Sequence, residues 1–402
     1  MLSESRLRRN YRTFLDALEK AYDNILVCLA YKANSHLAVC KVYETQGAGA
    51  EVVSLAELRM ALDVGVDPGK IVYNGPMKKR ADLELAISSD VGLVNADSIP
   101  ELERMQQVAH QIGKKCNAGI RVNIGINPHI HPHLATAQRE HKFGVWIGDA
   151  MNAYKEAAEK SELNVVGMHS HIGSNLTEPK IVSEMAREIL GLACRVKEDV
   201  GLRLSRIDVG GGLGFPYEPE TKTMTPDEYA SSILKENLSQ LNTLDNPELI
   251  FEPGRVLVAD AGILLTTVQA VKHQGNVNWG ITDAGMNAFL RPALYGARHQ
   301  VVHANRHSSD LVTYSLGGPC CESACVIAKD AQLPALREND LLAVLDAGAY
   351  GFTMSSNYNS QYRPAVVLVS DGQGLLIRRR ESYEDIVRGE TIPQHLTNEK
   401  VA

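Results

Sequence analysis

From about Asn24 to Arg255, short apolar runs alternate with amphipathic stretches. The apolar runs are NILVCLAYK, AEVVS, KIVYNG, VGLVN, GIRVNIG, NVVGMHSHIG, RIDVGGG and ELIFEPG, nearly continuous in Val, Ile and Leu. Such runs suit strands covered on both faces, as in a parallel sheet. Between them, LAELRMALDVG, RADLELAIS, IPELERMQQVAHQIG and SEMAREILGLACRVKEDVG repeat apolar residues at helical spacing. Eight such units over this length predict an α/β fold closed as a (β/α)8, TIM-like barrel. A doubly wound open sheet is the alternative that the pattern leaves standing. After about Leu264 the texture changes: LLTTVQAVKHQ, VNWGITDAG, HQVVHAN, DLVTYSL, DLLAVLD and AVVLVSD follow one another with turns and little helix. They predict a smaller, mostly antiparallel β domain, with one short helix in SYEDIVRGE. The expected division is 1–264 for the barrel and 265–402 for the β domain. The longest aperiodic stretch is NPHIHPHLATAQREHKFG, after the fifth strand. Loops of that length in compact domains are usually functional or mobile.

Composition narrows the function. The net charge of -7, from 41 basic and 48 acidic residues, leaves no electrostatic footprint for nucleic acid or an anionic membrane. No apolar run approaches a membrane span, and the charged, amphipathic start MLSESRLRRNYRTFLDALEK lacks the apolar core of a signal peptide, so the expected location is the cytoplasm. Seven cysteines, odd in number and irregular in spacing, point to reduced thiols.

Catalytic groups of a TIM barrel sit at the carboxyl ends of its strands. Here Lys32 ends the first run, His171 and Ser174 the sixth, Gly210, Gly211 and Gly212 the seventh, and Glu252, Gly254 and Arg255 the eighth. Singly, each has a plain structural reading: a solvated lysine, a hydrogen-bonded histidine, a tight turn. Their joint placement on one rim is harder to assign to chance. Glycine-rich backbone, a serine and an arginine suit a phosphate. A strand-end lysine whose pKa a buried site lowers suits a Schiff base. A glutamate can keep a heteroaromatic nitrogen protonated, and an imidazole can stack on its ring. Together these describe pyridoxal 5'-phosphate, although other small phosphorylated ligands satisfy parts of the set.

The strings YKAN, HKFGV, HIGSN, DVGGGLGFPY, EPGR, DAGMNAFLRPALYGA, GPCCES and DAGAYGFTMSSNYNS carry a resemblance that spans the chain from about Arg6. In combination they resemble the fold-type III pyridoxal-phosphate decarboxylases, and within these the diaminopimelate decarboxylase family. The resemblance implies an alanine racemase-like two-domain architecture and conversion of meso-2,6-diaminopimelate to L-lysine and carbon dioxide. It implies that Lys32 carries the Schiff base, that His171 stacks on the cofactor ring and that Glu252 pairs with the ring nitrogen. Ser174, Gly211, Gly212, Gly254, Arg255 and Tyr350 would hold the phosphate. Arg255, Arg291, Tyr295, Glu322 and Tyr350 would line the amino-acid substrate, and Cys321 would return a proton to Cα. The thiol segment would reach the barrel of a second subunit, making a homodimer with shared sites. Arg291 can meet the distal carboxylate of the substrate bidentately and Glu322 its distal ammonium.

Three departures from the family pattern stand out. A strand of the type TPLYVYD, which normally adds to the β domain, is expected to be missing ahead of ESRLRRNY. The family's G-P-x-C-E-S-x-D ends here in Cys325, which puts the local charge and the substrate in question. The usual Thr-Gly before KFG reads Thr136-Ala137. Competing readings are a related decarboxylase for another amino acid with a polar tail and a non-catalytic regulator. The regulator is disfavoured by the presence of Lys32, and a racemase by Glu252 at a position where racemases place arginine. Metal binding by His129, His131 and His133 or by the cysteines is disfavoured, because the thiols read C-C-x-x-x-C without a C-x-x-C pair; no metal is expected.

Overall fold

The structure is a computed structural model that describes residues 1–127, 136, 139–218 and 220–397. A two-residue strand, β1 (Leu2–Ser3), precedes a long amphipathic helix (Glu4–Glu19) whose Ser3 cap accepts from the Arg6 N–H. Eight parallel strands follow as the barrel: β2 (Ile25–Ala30), β3 (Gly49–Val52), β4 (Ile71–Tyr73), β5 (Leu93–Ala96), β6 (Cys116–Asn123), β8 (Leu163–His169), β9 (Arg206–Asp208) and β10 (Glu248–Phe251). β7 (Val145–Trp146) is a short addition beside β6. The β5–β6 pairing, with Val94 opposite Ala118, and the β2–β10 pairing, with Val27 opposite Phe251, close the sheet on itself. That closure decides for the barrel and against the open doubly wound sheet. Each of the eight apolar runs overlaps one of these strands.

Helices cover the outside. Their apolar stripes meet the outward strand residues in one large buried cluster that includes Phe14, Tyr43, Leu83, Met105, Tyr154 and Ile189. The inner cluster is much smaller, made of Leu26, Cys28, Val72, Leu93 and Ile250. The barrel axis is therefore apolar at one end only, and polar groups occupy the other.

Past the short helix Arg255–Val258 the chain enters the antiparallel region. A six-stranded sheet runs in the order β13 (Val301–His303), β16 (Leu341–Val344), β11 (Leu264–Gln274), β12 (Val277–Thr282), β14 (Leu311–Gly317) and β15 (Val326–Pro334). Only its β12–β14 pair is parallel. β15 was not visible as a periodic run, since VIAKDAQLP interrupts its apolar residues with Lys329 and Asp330. A second small sheet joins β1, β17 (Val366–Ser370) and β18 (Gln373–Arg378). β1 corrects one expectation: Leu2 and Ser3 pair in parallel with Leu368 and Val369, so the strand thought missing is present in part. Two residues suffice because the Ser3 N–H also bonds Ala261 O at 2.7 Å, and Leu2 is buried. The expected C-terminal helix is Tyr383–Ile386. Among the described residues no helix is long and apolar enough to cross a membrane. All seven cysteines are free thiols.

Candidate active site

The carboxyl ends of the barrel strands converge on a buried polar set. Glu51, Asn74, Asn95, Arg121, His169, Asp208 and Glu252 each lie in the last three residues of a barrel strand or immediately follow one, and all are buried. Polar groups this deep are costly unless they satisfy one another. Asn74 does most of the bridging. Its amide donates to Glu51 Oε1 at 3.2 Å and to Glu252 Oε1, while its carbonyl oxygen accepts from Asn95 Nδ2 at 2.9 Å.

Lys32 lies just beyond β2, and its ammonium pairs with Glu51. Here the structure reverses an expectation. Burial opposes the charge on Lys32, but the carboxylates of Glu51 and Glu252 outweigh it and raise the pKa above that of a free lysine. The sequence argument treated the lysine alone, whereas the barrel places an acid from β3 against it. Burial in turn raises the Glu51 pKa, with Lys32 acting to lower it.

Glu252 is held from several sides. His169 Nε2 lies 3.5 Å from its Oε2, and Asp208 stands beside both. Burial alone would raise the Glu252 pKa; His169 and Lys32 instead bring it below the usual carboxylate range. Asp208 goes the other way, pushed well up by burial and by the neighbouring Glu252 charge. His169, Asp208 and Glu252 form the one cluster with metal-ligand potential among the described residues. His129, His131 and His133 lie outside the described residues, as does Ala137. Thr136 is described, and its hydroxyl donates to His171 O at 2.7 Å.

One cleft gathers most of the predicted cofactor residues: Lys32, His171, Ser174, Gly212, Glu252, Gly254, Arg255 and Tyr350 all line it. Gly211 sits directly behind. A Cβ there would fall 2.2 Å from Glu252 O, so only glycine lets the β9 turn pass this close to β10. Gly212 needs glycine for another reason, its φ of +112°. His171 Nδ1 accepts from the Gly211 N–H at 3.3 Å. Burial, with Lys32 and Arg121 nearby, lowers the His171 pKa to about 3, so the ring is neutral at ordinary pH. Tyr350 takes a positive φ of 54°, a strained backbone for a tyrosine. Two bonds hold it there: its N–H to Ala33 O at 2.9 Å, and Asn34 Nδ2 to Gly348 O at 2.9 Å. The YKAN segment and the DAGAYG segment are thereby clamped together.

A second polar group adjoins the cleft. Arg255 and Arg291, both buried, donate to the same acceptor, Tyr217 Oη, at 2.9 and 3.0 Å. Arg255 also donates to Ser174 Oγ at 3.0 Å and lies 5.0 Å from the Tyr350 ring centre. The Nε atoms of Arg255 and Arg291 are buried and have no hydrogen-bond partner among the described residues. Burial lowers the Arg291 pKa from its ordinary value. Two guanidinium groups with spare donors, and with no carboxylate bonded to them among the described residues, make an anion-binding surface. Tyr295 ends the short helix that Arg291 begins.

Cys321 and Glu322 are elsewhere. They occupy the hairpin tip between β14 and β15, closed where Gly317 pairs with Val326, and both are exposed. The Cys321 N–H is anchored on Asn359 Oδ1 at 2.7 Å. Cys320 is buried, with its pKa raised to about 11 by burial and by Cys325. Cys325 is buried too, and its sulfur accepts the Met286 N–H at 3.4 Å. Neither Cys321 nor Glu322 lines the cleft that holds Lys32. Sequence reading passed over Glu51, Asn74, His169, Asp208 and Tyr217. The available signal was an isolated polar residue inside each apolar run, and, for Tyr217, the last letter of DVGGGLGFPY.

The family model of the pyridoxal-dependent decarboxylases, pyridoxal binding domain, matches residues 5–259. A diaminopimelate decarboxylase of Pseudomonas aeruginosa is 41% identical over 390 residues, covering 97% of this chain and 92% of that one. The chain belongs to the diaminopimelate decarboxylase family. A crystal structure of such a decarboxylase from Methanocaldococcus jannaschii superposes with a TM-score of 0.93 at 36% identity, covering 98% of this chain and 92% of that one. The Helicobacter pylori decarboxylase complexed with L-lysine gives 0.89 at 34% identity, covering 96% and 95%. As a member of this family, the chain is a pyridoxal-dependent decarboxylase with a barrel and a mostly antiparallel β domain. Its cleft residues fit that cofactor: the spare donor on Arg255 beside Ser174 suits a phosphate, and ionised Glu252 suits a protonated ring nitrogen.

Proposed function

We propose that this protein decarboxylates meso-2,6-diaminopimelate to L-lysine and carbon dioxide, using pyridoxal phosphate bound in the barrel cleft. The observation that carries the reading is the pair of buried guanidinium groups, Arg255 and Arg291, meeting at Tyr217 beside the cleft with Nε donors that have no partner among the described residues. A decarboxylase for ornithine or lysine has one substrate carboxylate, the one it removes. Diaminopimelate keeps a second, and a distal arginine is the side chain suited to hold it.

Ser174, Gly211, Gly212, Gly254, Arg255 and Tyr350 would hold the phosphate, His171 the ring face, Glu252 the ring nitrogen and Lys32 the aldehyde carbon. When bound, the cofactor supplies an electron sink for the carbanion left by carbon dioxide. The remaining work belongs to the chain. Neutral His171 can pack flat on a ring without bringing a competing charge. Glu51 holds the amino nitrogen of Lys32 in place at the mouth of the barrel. Arg291 and Tyr295 would orient the distal end of the substrate. Cys321 would protonate Cα and Glu322 would meet the distal ammonium, both delivered from the β14–β15 tip of a second subunit. Their exposure in one chain, away from the Lys32 cleft, supports a homodimer with shared sites. Burial of Cys325 supports the diaminopimelate reading over a changed substrate. The thiol is engaged by the Met286 N–H, so the missing aspartate alters packing behind the tip.

Carbon dioxide release from meso-diaminopimelate, lysine, ornithine, arginine and carboxylated polyamines tests the reading. Diaminopimelate should dominate. Equal or faster release from a substrate without a distal carboxylate would overturn it.

A further inference from the structure

Asp208 has no part in the assignments above, yet it is fully buried at the end of β9 against Glu252. The candidate ligand atoms of His169, Asp208 and Glu252 all lie within 4.8 Å of one another. Asp208 Oδ1 accepts the Gly210 N–H at 2.8 Å. Its other oxygen, Oδ2, is buried with no hydrogen-bond partner among the described residues. As an anion, Asp208 would hold an unsatisfied charge against a second carboxylate.

Surrounding charges give it no relief. The lysine facing this centre, Lys32, is paired with Glu51 from β3, and Arg121 from β6 has Asp97 3.9 Å away. His169 from β8 leans on Glu252 at 3.5 Å. Cys28 from β2 is a buried thiol, and Tyr229 from the helix Pro226–Leu234 spends its hydroxyl on Gly211 O at 3.3 Å. A proton on Oδ2, with the adjacent Glu252 carboxylate as its acceptor, satisfies both oxygens.

We infer that Asp208 is a positioning residue: its carboxylic acid keeps its proton and donates it to the Glu252 carboxylate, holding that carboxylate charged and aimed into the cleft. The consequence for the cofactor rests on the reading that Glu252 meets the pyridine nitrogen. Burial and the Glu252 charge, which raise the Asp208 pKa, agree with it. A stronger donor on Glu252 makes it a weaker base, so the ring nitrogen keeps the proton that the two share.

Asp208→Asn separates this from a merely structural role. Its amide oxygen can still accept the Gly210 N–H, which turns the NH2 toward Glu252 as a donor that cannot ionise. Infrared difference spectra of the purified wild type against D208N near pH 7 should show a protonated-carboxyl C=O band present only in the wild type. Pyridoxal phosphate affinity by equilibrium dialysis should stay within about threefold in D208N and weaken about tenfold in Asp208→Ala, where Glu252 loses a buried donor. If D208A does not fold, Asp208→Ser, smaller but still polar, takes its place. No such band, or D208A binding the cofactor like wild type, overturns the inference. So does a stoichiometric divalent metal retained by wild type and lost from D208N. Because the infrared readout needs no cofactor, a band seen in a protein that fails to bind pyridoxal phosphate would sink the cofactor reading and leave the protonation standing.

Discussion

The barrel mouth and the β14–β15 tip, which the proposed function makes complementary halves of one chemistry, are built in opposite ways. At the mouth, seven polar side chains are buried together, and Asn74 links Glu51, Glu252 and Asn95 among them. At the tip, Cys321 and Glu322 stand exposed, with the main chain held by Asn359 but the side chains facing outward. A buried network can be completed within one chain, because parallel strands bring every member to the same level. An exposed thiol and carboxylate on a hairpin have no such neighbours, and they suit a surface that another subunit completes. The difference predicts that mouth substitutions damage each subunit's own site, whereas tip substitutions damage the site next door.

The largest effect is expected from Lys32→Ala, which should cut decarboxylation by on the order of 10³-fold or more. Mixing K32A with C321A subunits tests the comparison directly. If the tip serves a neighbour, random reassociation restores roughly a quarter of wild-type activity, since half the dimers carry one intact site of two. If both halves belong to one chain, mixing also leaves intact no site in any subunit, and activity stays at background. Cys321→Ala should lose far more product formation than Cys320→Ala, whose thiol is buried behind the tip; equal losses would remove the distinction between the two thiols.

Smaller effects sharpen the mouth itself. Arg291→Lys keeps the charge but loses the bidentate fork, and kcat/KM for diaminopimelate should fall about 10- to 100-fold. Steady-state kinetics showing wild-type values would mean that the distal carboxylate is held elsewhere. The smallest effect concerns stability. The Asp208 pKa is raised in the fold, so its contribution is fully present below the free-aspartate value of 3.8 and is lost as pH rises through the folded value. D208N carries no such titration. Urea unfolding across the acid-to-neutral range should therefore show wild type losing ground to D208N as pH rises. A constant difference would mean that Asp208 is already ionised.

Legibility differed between the same two regions. Barrel strands were readable because both faces are covered, which demands unbroken Val, Ile and Leu runs. β15 was not, since an antiparallel strand with a wet face tolerates Lys329 and Asp330 inside it. The cleft residues Lys32, His171, Ser174, Glu252 and Arg255 were nameable from strand ends and from the family strings, and the fold brings them to one place. Glu51 and Asp208 were not singled out. A lone acid near the end of a strand looks solvated until the barrel closes and puts another charge opposite it.

What the sequence determined by itself was periodicity and chemistry: eight covered strands, a β-rich tail, and a set of reactive groups at strand ends. Local physics suffices for these, because side-chain period and strand-end position are properties of a short segment. Only the tertiary structure decided the protonation pattern. Lys32 is raised by Glu51 where the isolated segment argued for lowering, Asp208 is raised while Glu252 is lowered, and Cys325 is buried behind the tip. Each depends on which charge, donor or wall stands across the barrel or behind the loop, at sequence separations that no local pattern encodes. Electrostatic energies fall with distance in space and with local dielectric, and both are set when the chain closes.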